Sequence, residues 1–437
     1  MNIRDRLADF FKDKTVLILG FGREGKSTLA LLRDIGCKSI TIADKNPIDS
    51  AEADGCRLVC GEDYLSAVYD CDIIMKAPGI GLKNDVPDGI KAKITSQTDL
   101  FLRFCPSLVI GVTGTKGKST TSSLIYHFLN SCGKKTMLIG NIGVPPLDRT
   151  ADFDNDTAVV CEMSCHQLEY VKASPDIAVL LNVYPEHLDH YADFEAYRAA
   201  KLNIFKYQSE KDTLIIFDEC LPFAKGAMAK IVTAGFSSGD IGTADGNIYL
   251  NDTVIPAEKL RTRLKGEHNL YNIAVALYAA VAAGCEPEQC LFALPDFKGL
   301  EHRLEYVGKI GVAEYINDSI STAPQTAIAA LKAYPDTDTL IIGGMDRGIS
   351  YDILSDYLNG DTPLRNLIIL PDSGIRAAEK VTNSAIQKIY ADNMQQAVEA
   401  AKKCTKVRCI LSPAAASYGF YKNFEERGRD FKRLLGF

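Results

Sequence analysis

Short apolar runs alternate with longer stretches of helical periodicity along the whole chain. In the first hundred residues, apolar runs of strand length cover residues 15–19, 39–43 and 72–76. The pattern between the first two runs predicts a helix that ends near Ile35. Because strands separated by helices form parallel sheets with both faces covered, this part of the chain predicts an α/β domain.

The same alternation continues towards the C-terminus. Further strands are predicted at residues 108–110, 135–139, 158–163, 177–183, 213–217, 312–316, 339–342, 366–370 and 408–411. A hairpin is expected at residues 247–254, and an Ala- and Leu-rich helix over residues 269–283. A chain of 437 residues is too long for one core, so we predict three α/β domains. They are a Rossmann-like N-terminal domain (1–104), a central domain with a P-loop ATPase-type parallel sheet (105–302) and a Rossmann-like C-terminal domain (303–437).

Composition excludes several kinds of partner. Lysine and arginine number 49 against 56 acidic residues, and the net charge of −7 argues against a nucleic-acid partner, which demands concentrated positive charge. The apolar runs are too short to span a membrane, and the first residues lack a secretory apolar core. The thirteen cysteines are odd in number and include no Cys-x-x-Cys pair. We therefore expect reduced thiols in the cytoplasm, rather than disulfides or a structural zinc site.

Residues 111–121 carry the strongest functional signal, and they read Gly-Val-Thr-Gly-Thr-Lys-Gly-Lys-Ser-Thr-Thr. A strand, a glycine-rich loop and a helix N-terminus in this order form a phosphate cradle. Lys118 would reach the outer phosphates, and a hydroxyl after it would hold Mg²⁺. The loop is a short form, with Gly114 three residues before Gly117. The alternative is a glycine-rich turn with a solvated lysine, but the context favours a nucleoside triphosphate site.

A second glycine-rich loop follows the first predicted strand. Residues 20–25 read Gly-Phe-Gly-Arg-Glu-Gly, and the next strand leads to Asp44. This order resembles a dinucleotide-binding fingerprint, but the same turn binds any diphosphate, and NAD is only one candidate. After the third strand, residues 77–80 form an Ala-Pro-Gly-Ile turn where the backbone can approach a ligand closely. A nicotinamide-dependent oxidoreductase is one alternative, although it leaves the P-loop without a role.

Three polar residues of the middle unit are candidates for chemistry. Glu162 ends an apolar strand beside the P-loop strand, where Mg²⁺-nucleotide is usually bound; a solvated strand-end acid is the alternative. His187 follows another buried strand, and it is either a metal ligand or a simple loop residue. Lys201 lies on a predicted helix that Asp193 could cap, and taken alone it would be a solvated lysine.

Two asparagines open the long Ala- and Leu-rich helix. Asn269 and Asn272 are three residues apart, so they lie on one face of the first turn. Their amides could read the edge of an adenine ring. The alternative is helix capping by Asn269 alone.

Together these motifs resemble the Mur ligase family of ATP-dependent amide-bond ligases, and within it the branch that adds D-glutamate to UDP-N-acetylmuramoyl-L-alanine in peptidoglycan precursor synthesis. The resemblance covers nearly the whole chain. It is carried by residues 114–120, Glu162 with Gln167, His187, Lys201, 266–272, His302-Arg303, 317–319, 343–348, 411–417 and 422–428. The last two segments distinguish the D-glutamate-adding branch from its relatives.

The resemblance implies a role for each motif. Implied catalytic residues are Lys118, Glu162, His187 and a carbamylated Lys201, and implied Mg²⁺ ligands are Ser119, Glu162, His187 and Lys201. Implied ATP-binding residues are Gly114, Thr115, Lys116, Gly117, Lys118, Ser119, Thr120, Asn269, Asn272, Arg303 and Asp318. Implied binding residues for the UDP substrate and D-glutamate are Gly20, Phe21, Gly22, Arg23, Asp44, Lys45, Pro78, Gly79, Asn141, Ser164, Gln167, Thr322, Arg347, Ser417 and Phe424.

The implied reaction begins when the alanyl carboxylate attacks the γ-phosphorus of ATP and forms an acyl phosphate. The amine of D-glutamate then attacks the activated carbonyl, and phosphate leaves. Positioning and charge stabilisation would supply most of the catalysis. The expected partners are these small molecules, with neither nucleic acid nor membrane, and the protein is expected to be a cytoplasmic monomer.

The chain departs from the family pattern at two places. Ile320-Ser321-Thr322 stands where many relatives have Lys-Ala-Thr, so a lysine that could contact the substrate is absent. Arg347 is therefore expected to contribute more to the binding of D-glutamate. Arg23 and Glu24 stand in the first loop, where smaller or neutral residues are expected. The alternatives are another Mur or folylpolyglutamate-type ligase with a different acceptor amino acid, and a catalytically silent nucleotide-binding regulator. The intact Lys118, His187 and Lys201 argue against the regulator.

Overall fold

The computed structural model describes residues 2–82, 86–142, 144–187, 190–236, 239–264 and 266–437. The chain forms two compact units, one of Met1–Thr262 with Glu267–Phe297 and the other of Arg263–Gly266 with Lys298–Phe437. The first unit contains two β-sheets and the second contains one. In the described ranges, no helix is long and apolar enough to cross a membrane. The predicted α/β class is confirmed.

The first sheet has five parallel strands in the order β3-β2-β1-β4-β5. The strands are β1 (Thr15–Leu19), β2 (Ser39–Asp44), β3 (Arg57–Cys60), β4 (Ile73–Lys76) and β5 (Ile94–Thr95). The helices of this segment are α1 (Ile3–Phe11), α2 (Arg23–Asp34), α3 (Asp88–Lys93) and α4 (Gln97–Phe104). The strand order reverses between β1 and β4, and ligands bind at such a reversal in open α/β sheets. The glycine-rich loop after β1 lies there.

The second sheet has nine strands in the order β14-β13-β12-β11-β10-β9-β6-β8-β7. The strands are β6 (Leu108–Thr113), β7 (Lys135–Gly140), β8 (Thr157–Glu162), β9 (Ile177–Leu180), β10 (Thr213–Phe217), β11 (Lys230–Gly235), β12 (Ile241–Ala244), β13 (Asn247–Leu250) and β14 (Thr253–Ile255). The helices are α5 (Lys118–Ser131), α6 (Cys165–Leu168), α7 (Phe194–Lys206), α8 (Glu267–Ala282) and α9 (Pro287–Ala293). The predicted hairpin is confirmed as β13 and β14.

The register of this sheet brings the candidate residues to one edge. Strand β6 pairs in parallel with β8 on one side and with β9 on the other. The carboxyl ends of the three strands therefore meet, and the loop after β6 lies beside Glu162 at the end of β8 and the segment after β9.

The third sheet has six strands in the order β15-β16-β20-β17-β18-β19. The strands are β15 (Glu305–Ile310), β16 (Ala313–Asn317), β17 (Thr339–Gly344), β18 (Asn366–Asp372), β19 (Gln387–Tyr390) and β20 (Arg408–Leu411). The helices are α10 (Pro324–Ala333), α11 (Asp352–Asn359), α12 (Ser373–Glu379), α13 (Met394–Cys404) and α14 (Phe424–Leu435). Among the described strands of this third sheet, the β15–β16 pair is antiparallel and the other pairs are parallel. Apolar clusters cover both faces, as the alternation predicts.

Candidate active site

The loop after β6 depends on two glycines. Gly117 has φ of +87° and directly precedes α5, and Gly114 has φ of +158°. A Cβ at Gly117 would lie 2.7 Å from the Oδ1 of Asn272, and one at Gly114 would lie 2.9 Å from the Cβ of Leu181. Both positions therefore require glycine, for conformation and for space. The N-terminus of α5 follows the loop, which is the arrangement that binds phosphate.

Hydrogen bonds fix this loop to the segment after β9. The backbone N–H of Thr115 donates to the carbonyl of Asn182 at 3.0 Å, and that of Lys116 donates to its Oδ1 at 2.8 Å. The hydroxyl of Thr115 accepts from the N–H of Tyr184 and lies 2.9 Å from the hydroxyl of Tyr197. The loop is thus held in shape by neighbouring elements, which is what a pre-organised anion cradle needs.

Two lysines meet at one carbonyl of this loop. The Nζ of Lys118 donates to the carbonyl oxygens of Gly114 and Thr115 at 2.9 and 3.0 Å. The Nζ of Lys201 donates to the same oxygen of Gly114 at 2.8 Å. Lys201 is 2% exposed, and burial together with the nearby charge of Lys118 lowers its pKa to about 8. Burial also lowers the pKa of Lys118. This arrangement differs from the solvated alternative for both lysines.

Glu162 is fully buried at the carboxyl end of β8 and has one free oxygen. Its Oε1 accepts from the side-chain amide of Asn141 at 2.6 Å. Its Oε2 has no hydrogen-bond partner among the described residues. A buried carboxylate oxygen without a donor fits a hard cation such as Mg²⁺, and the hydroxyl of Ser119 is a ligand of the same chemical type. The residues present therefore fit the metal that the resemblance implies.

His187 lies close to the aromatic and imidazole groups around Lys201. It has φ of +57°, and its ring lies 6.3 Å from the ring of Tyr197 and 5.0 Å from that of His166. The ring of Tyr197 is in turn 5.0 Å from the Nζ of Lys201. Asp193 caps α7, the helix that carries Lys201, by accepting from the N–H of Ala196, as predicted.

An aromatic cavity of about 330 Å³ adjoins the loop. Phe217, Phe236 and Tyr271 supply its apolar walls, and the rings of the last two lie 5.2 Å apart. Asn272 lies at the loop end of the cavity, where it donates to the Oδ1 of Asn269 and accepts from Thr121. Helix α8 begins at Glu267, so the alternative of capping by Asn269 is wrong. These contacting rings form an apolar aromatic surface of the kind on which a planar heterocycle stacks.

The loop after β1 is held by Asp44. The N–H of Phe21 donates to one carboxylate oxygen of Asp44 at 2.7 Å, and the N–H of Asn46 donates to the other at 2.8 Å. Gly20 has φ of +94°, and a Cβ at Gly25 would lie 2.2 Å from the carbonyl oxygen of Gly20. The loop and the start of α2 therefore pack as closely as a diphosphate-binding turn requires.

Ser164 and Gln167 bind each other in a capping box at the start of α6. The side-chain amide of Gln167 also donates to Glu24 at 3.1 Å, and burial raises the pKa of that carboxyl group. The unexpected acid of the first loop is thus bound by a residue that follows Glu162. Lys45, which follows Asp44 and is also predicted to bind the UDP substrate, forms an exposed ion pair with Glu62.

In the second unit, Asp318 is a buried carboxyl group that ties three segments together. It accepts from the N–H of Leu304 at 3.2 Å and from the hydroxyl of Ser412 at 2.7 Å. Burial raises its pKa to about 6. Arg303 is exposed, whereas the preceding His302 is buried against Asn317.

Arg427 is the residue of this unit that sequence reasoning missed. It is 1% exposed, and its guanidinium donates to the hydroxyl and carbonyl of Ser319 and to the carbonyl of Ala415. Its Nη1 has no hydrogen-bond partner among the described residues, and burial lowers its pKa to about 10. It lines a cavity of about 170 Å³ with Ser417 and Gly344. A buried cation among neutral oxygens beside a cavity is suited to binding an anion.

The remaining predicted residues of this unit lie around the same carboxyl edge of the sheet. Arg347 is exposed on the segment after β17, and Thr322 is partly buried before α10. Phe424 begins α14, and its carbonyl oxygen accepts from the hydroxyl of Ser319 at 2.8 Å.

Known proteins resemble this chain over nearly its whole length. Residues 112–280 match the family model described as the Mur ligase middle domain. The UDP-N-acetylmuramoylalanine–D-glutamate ligase of Clostridium kluyveri is 34% identical over 457 aligned positions, which cover 99% of this chain and 98% of that protein. The protein of the same name from Clostridium tetani is 32% identical, with 98% and 97% covered. The chain belongs to the Mur ligase family.

Solved Mur ligase structures share the fold. The alanine ligase MurC of Thermotoga maritima superposes with a TM-score of 0.59 at 17% identity, with 97% of this chain and 99% of that chain covered. The MurF ligase of the same organism, solved in complex with ADP, gives 0.56 at 19% identity, with 97% and 96% covered. These likenesses confirm the predicted combination of Rossmann-like and P-loop-type sheets.

The first unit of this Mur ligase brings together the P-loop residues, Glu162, Lys201 and Asn272. Sequence reasoning missed the aromatic walls of the cavity, although Tyr271 stands inside a motif that it used. It also missed Lys76 at the end of β4, which is buried and forms an ion pair with Glu169 at 3.2 Å. Arg427 was part of a recognised segment, and only its burial identifies it.

Proposed function

We propose that the protein uses ATP to join D-glutamate to the alanyl carboxylate of UDP-N-acetylmuramoyl-L-alanine. The observation that carries the proposal is the cluster at the P-loop, where Lys118 and Lys201 meet at Gly114 beside the free oxygen of buried Glu162. The relatives that align over the full chain bear the name of this ligase, which supports D-glutamate as the acceptor.

In the first step, backbone N–H groups of the loop and Lys118 bind the β- and γ-phosphates of ATP. The alanyl carboxylate attacks the γ-phosphorus; a carboxylate O–P bond forms, the bond to the β-phosphate oxygen breaks, and ADP leaves. The adenine ring enters the aromatic cavity lined by Phe236 and Tyr271, next to Asn272. Arg303 and Asp318 are proposed as further ATP contacts. Bound Mg²⁺ would neutralise phosphate charge, with Ser119 and Glu162 among its ligands.

In the second step, the neutral amine of D-glutamate attacks the acyl carbon. A C–N bond forms, and the resulting tetrahedral intermediate expels inorganic phosphate with the former carboxylate oxygen. The nitrogen loses a proton to solvent. This chain's residues hold the reactants in line and stabilise the transferring charge, and they form no covalent bond with the substrate.

Lys201 is proposed to act as a carbamate. Its amine adds to CO₂, a N–C bond forms, and a proton is released. The carbamate would supply an oxygen ligand for Mg²⁺, and His187 would be a further ligand. Only the neutral amine reacts. At pH 8, a pKa of about 8 leaves about half of the amine neutral, against about 0.3% at the ordinary value of 10.5. The burial of Lys201 supports this modification.

The UDP moiety is assigned to the first loop, with its diphosphate at residues 20–25 and its uridine near Asp44, Lys45, Pro78 and Gly79. The N-terminus of α2 and the closely packed glycines support this assignment. Asn141, Ser164 and Gln167 are proposed to adjoin the muramoyl part of the substrate.

D-Glutamate carries two carboxylates and needs fixed cations. Arg347, Thr322, Ser417 and Phe424 are proposed for it, and we add Arg427, because its Nη1 is buried and unpaired among the described residues beside Ser417. Ile320 supplies no charge.

The proposal extends to the domain limits, the oligomeric state and the cellular compartment. The proposed domains are 1–104, 105–302 and 303–437. A monomer in the cytoplasm is proposed, and the thirteen cysteines, all of which lie in described segments and are free thiols, support a reducing compartment.

Isotope transfer tests this mechanism directly. UDP-N-acetylmuramoyl-L-alanine with ¹⁸O in its carboxylate should release phosphate that carries one ¹⁸O per turnover, because that oxygen bonds to phosphorus and leaves with it. A reaction without D-glutamate is the control and should release little phosphate. Unlabelled phosphate formed together with the amide product would contradict the acyl-phosphate pathway.

A further inference from the structure

Three cysteines far apart in the sequence meet in the first unit. Cys132 follows the last turn of α5, Cys285 lies in the short turn after α8, and Cys290 lies within α9. Their sulfur atoms all lie within 4.8 Å of one another, and those of Cys132 and Cys290 are 3.8 Å apart. Cys285 and Cys290 are buried, whereas Cys132 is partly exposed and gives the cluster a path to solvent.

The triangle of sulfur atoms has the dimensions of a thiolate metal site. A Zn–S bond of about 2.3 Å places the sulfurs of a tetrahedral site about 3.8 Å apart. The side between Cys132 and Cys290 already has that length, and the other two sides, each at most 4.8 Å, need a contraction of at most about 1 Å. Three protein sulfurs leave a fourth position, which water can fill from the side of Cys132.

The charge around the cluster also suits a bound cation. Three thiolates and one divalent ion carry a net charge of −1, and Lys134 lies two residues after Cys132. Its Nζ is 3.4 Å from the Cβ position of Gly284, next to Cys285. Glu286, next to Cys285, adds a negative charge, and the positive charge of Lys134 offsets it. Sulfur ligands favour a soft or borderline ion such as Zn²⁺ over Mg²⁺.

We propose that Cys132, Cys285 and Cys290 form a binding site for a thiophilic divalent cation of the Zn²⁺ type. The site ties together the ends of α5 and α8 that are remote from the ATP site. Helix α5 starts at Lys118 and α8 carries Asn272, and helices of 14 and 16 residues extend for about 21–24 Å. The site is therefore distinct from the proposed Mg²⁺ ligands and does not depend on the proposed activity.

The proposed site differs from the expectation, made from the sequence, of no structural zinc site. The expectation rested on the absence of closely spaced cysteine pairs. Here two ligands come from the turn and helix after α8, and the third comes from the end of α5, 158 residues before Cys290. Only the packing of α5 against α8 and α9 brings them together.

Cobalt binding to the full-length, reduced protein tests the proposal. With excess Mg²⁺ present, one equivalent of Co²⁺ should produce a thiolate-to-cobalt charge-transfer band, and Zn²⁺ should abolish it by displacement. Loss of a residue that only supports a metal ligand weakens metal binding by about 10–100-fold. Loss of a ligand itself should weaken cobalt binding by more than this in each of three variants: Cys132→Ser, Cys285→Ser and Cys290→Ser. Cys165→Ser, beside His166, and Cys220→Ser are controls that should keep the band.

Thermal unfolding provides a second readout. Zn²⁺ should raise the Tm of the wild-type protein and of Cys220→Ser, but not of Cys132→Ser. Cys132 is partly exposed, so its variant remains informative if the buried variants fail to fold. Absence of the band in the reduced wild-type protein would overturn the proposal, as would its survival in Cys132→Ser. A Cys132–Cys290 disulfide that forms under oxidation, without cobalt binding after reduction, would also overturn it.

Discussion

At the scale of single residues, the P-loop combines two positive charges with one uncompensated carboxylate oxygen. Lys118 and Lys201 share the carbonyl of Gly114, and Glu162 offers a buried Oε2. Each group alone is costly to bury, and an anion with a cation at this position would satisfy all of them. The role of Lys118 can therefore be tested by turnover, and that of Lys201 by its modification.

Lys118→Ala should lower kcat by about 10³-fold or more, because a charge aimed at the transferring phosphoryl group is lost. Phosphate release at saturating substrates measures the effect. Lys135→Ala, which removes an exposed ion pair with Asp154, is the matched control and should keep its activity. Near-normal turnover by a folded Lys118→Ala variant would refute the assignment.

Lys201 should take up labelled bicarbonate. Because burial lowers its pKa to about 8, the reactive neutral amine increases as the pH rises through 8, and not through 10.5. At constant dissolved CO₂, a ¹³C carbamate signal should therefore grow between pH 7 and 9, together with activity. Lys206→Ala, on the exposed face of α7, should retain the signal, and Lys201→Ala should lose both. A signal that is unchanged in Lys201→Ala would show that the carbamate lies elsewhere.

Arg427 and Arg347 should control the KM for D-glutamate. Loss of one charge-assisted hydrogen bond costs about 1.5–3 kcal/mol, so Arg347→Ala and Arg427→Met should each raise this KM at least about tenfold. The KM for ATP should change little. Denaturant unfolding of Arg427→Met checks that the variant is folded, because the carbonyl groups of Ser319 and Ala415 lose a donor. Lys substitutions should restore only part of the affinity, because bidentate geometry is lost. An unchanged KM for D-glutamate in both variants would exclude them from the acceptor pocket.

At the scale of elements, the sequence predicts continuous apolar strands well and short or half-exposed strands less well. Strands β1, β10 and β20 have the predicted limits, because each is a continuous apolar run between polar turns. The pattern does not predict β3, β5, β11, β12, β15 and β19. Of these, β3 and β19 are half-exposed edge strands that pairing with a neighbour stabilises more than their own pattern does.

The same distinction applies to the candidate site. A loop closed by local glycines can be predicted from spacing, because its conformation depends on adjacent residues. The aromatic cavity cannot, since Phe217, Phe236 and Tyr271 come from three distant elements. The Cys132 cluster and the burial of Arg427 likewise depend on tertiary packing, which no local pattern records.

Gly117→Ala should separate the two reasons for glycine in the loop. Alanine in the left-handed region costs roughly 1–2 kcal/mol, and here its Cβ would also meet Asn272 at 2.7 Å. Gly133→Ala is the matched control, with φ of +76° but open space around it. Both variants should lose stability in denaturant unfolding, and only Gly117→Ala should lose ATP affinity in calorimetry. Equal ATP affinity in the two variants would remove Gly117 from the phosphate cradle.

At the scale of the whole molecule, three sheets distribute the proposed chemistry. The first unit carries the loop after β1 and the P-loop with its cations, and the second carries the residues assigned to D-glutamate. The two Clostridium relatives align over nearly the full length of the chain, and so with both units. The identity of the acceptor depends most on the second unit, where Ile320 departs from the pattern and Arg427 is buried.

The central claim is tested most directly by measuring phosphate release with ATP, Mg²⁺, UDP-N-acetylmuramoyl-L-alanine and each of several amino acids in turn. D-Glutamate should support turnover, and L-alanine, D-alanine, L-lysine and meso-diaminopimelate should support little. Omitting the UDP substrate should abolish release with every amino acid. Preferred turnover with any acceptor other than D-glutamate would contradict the account.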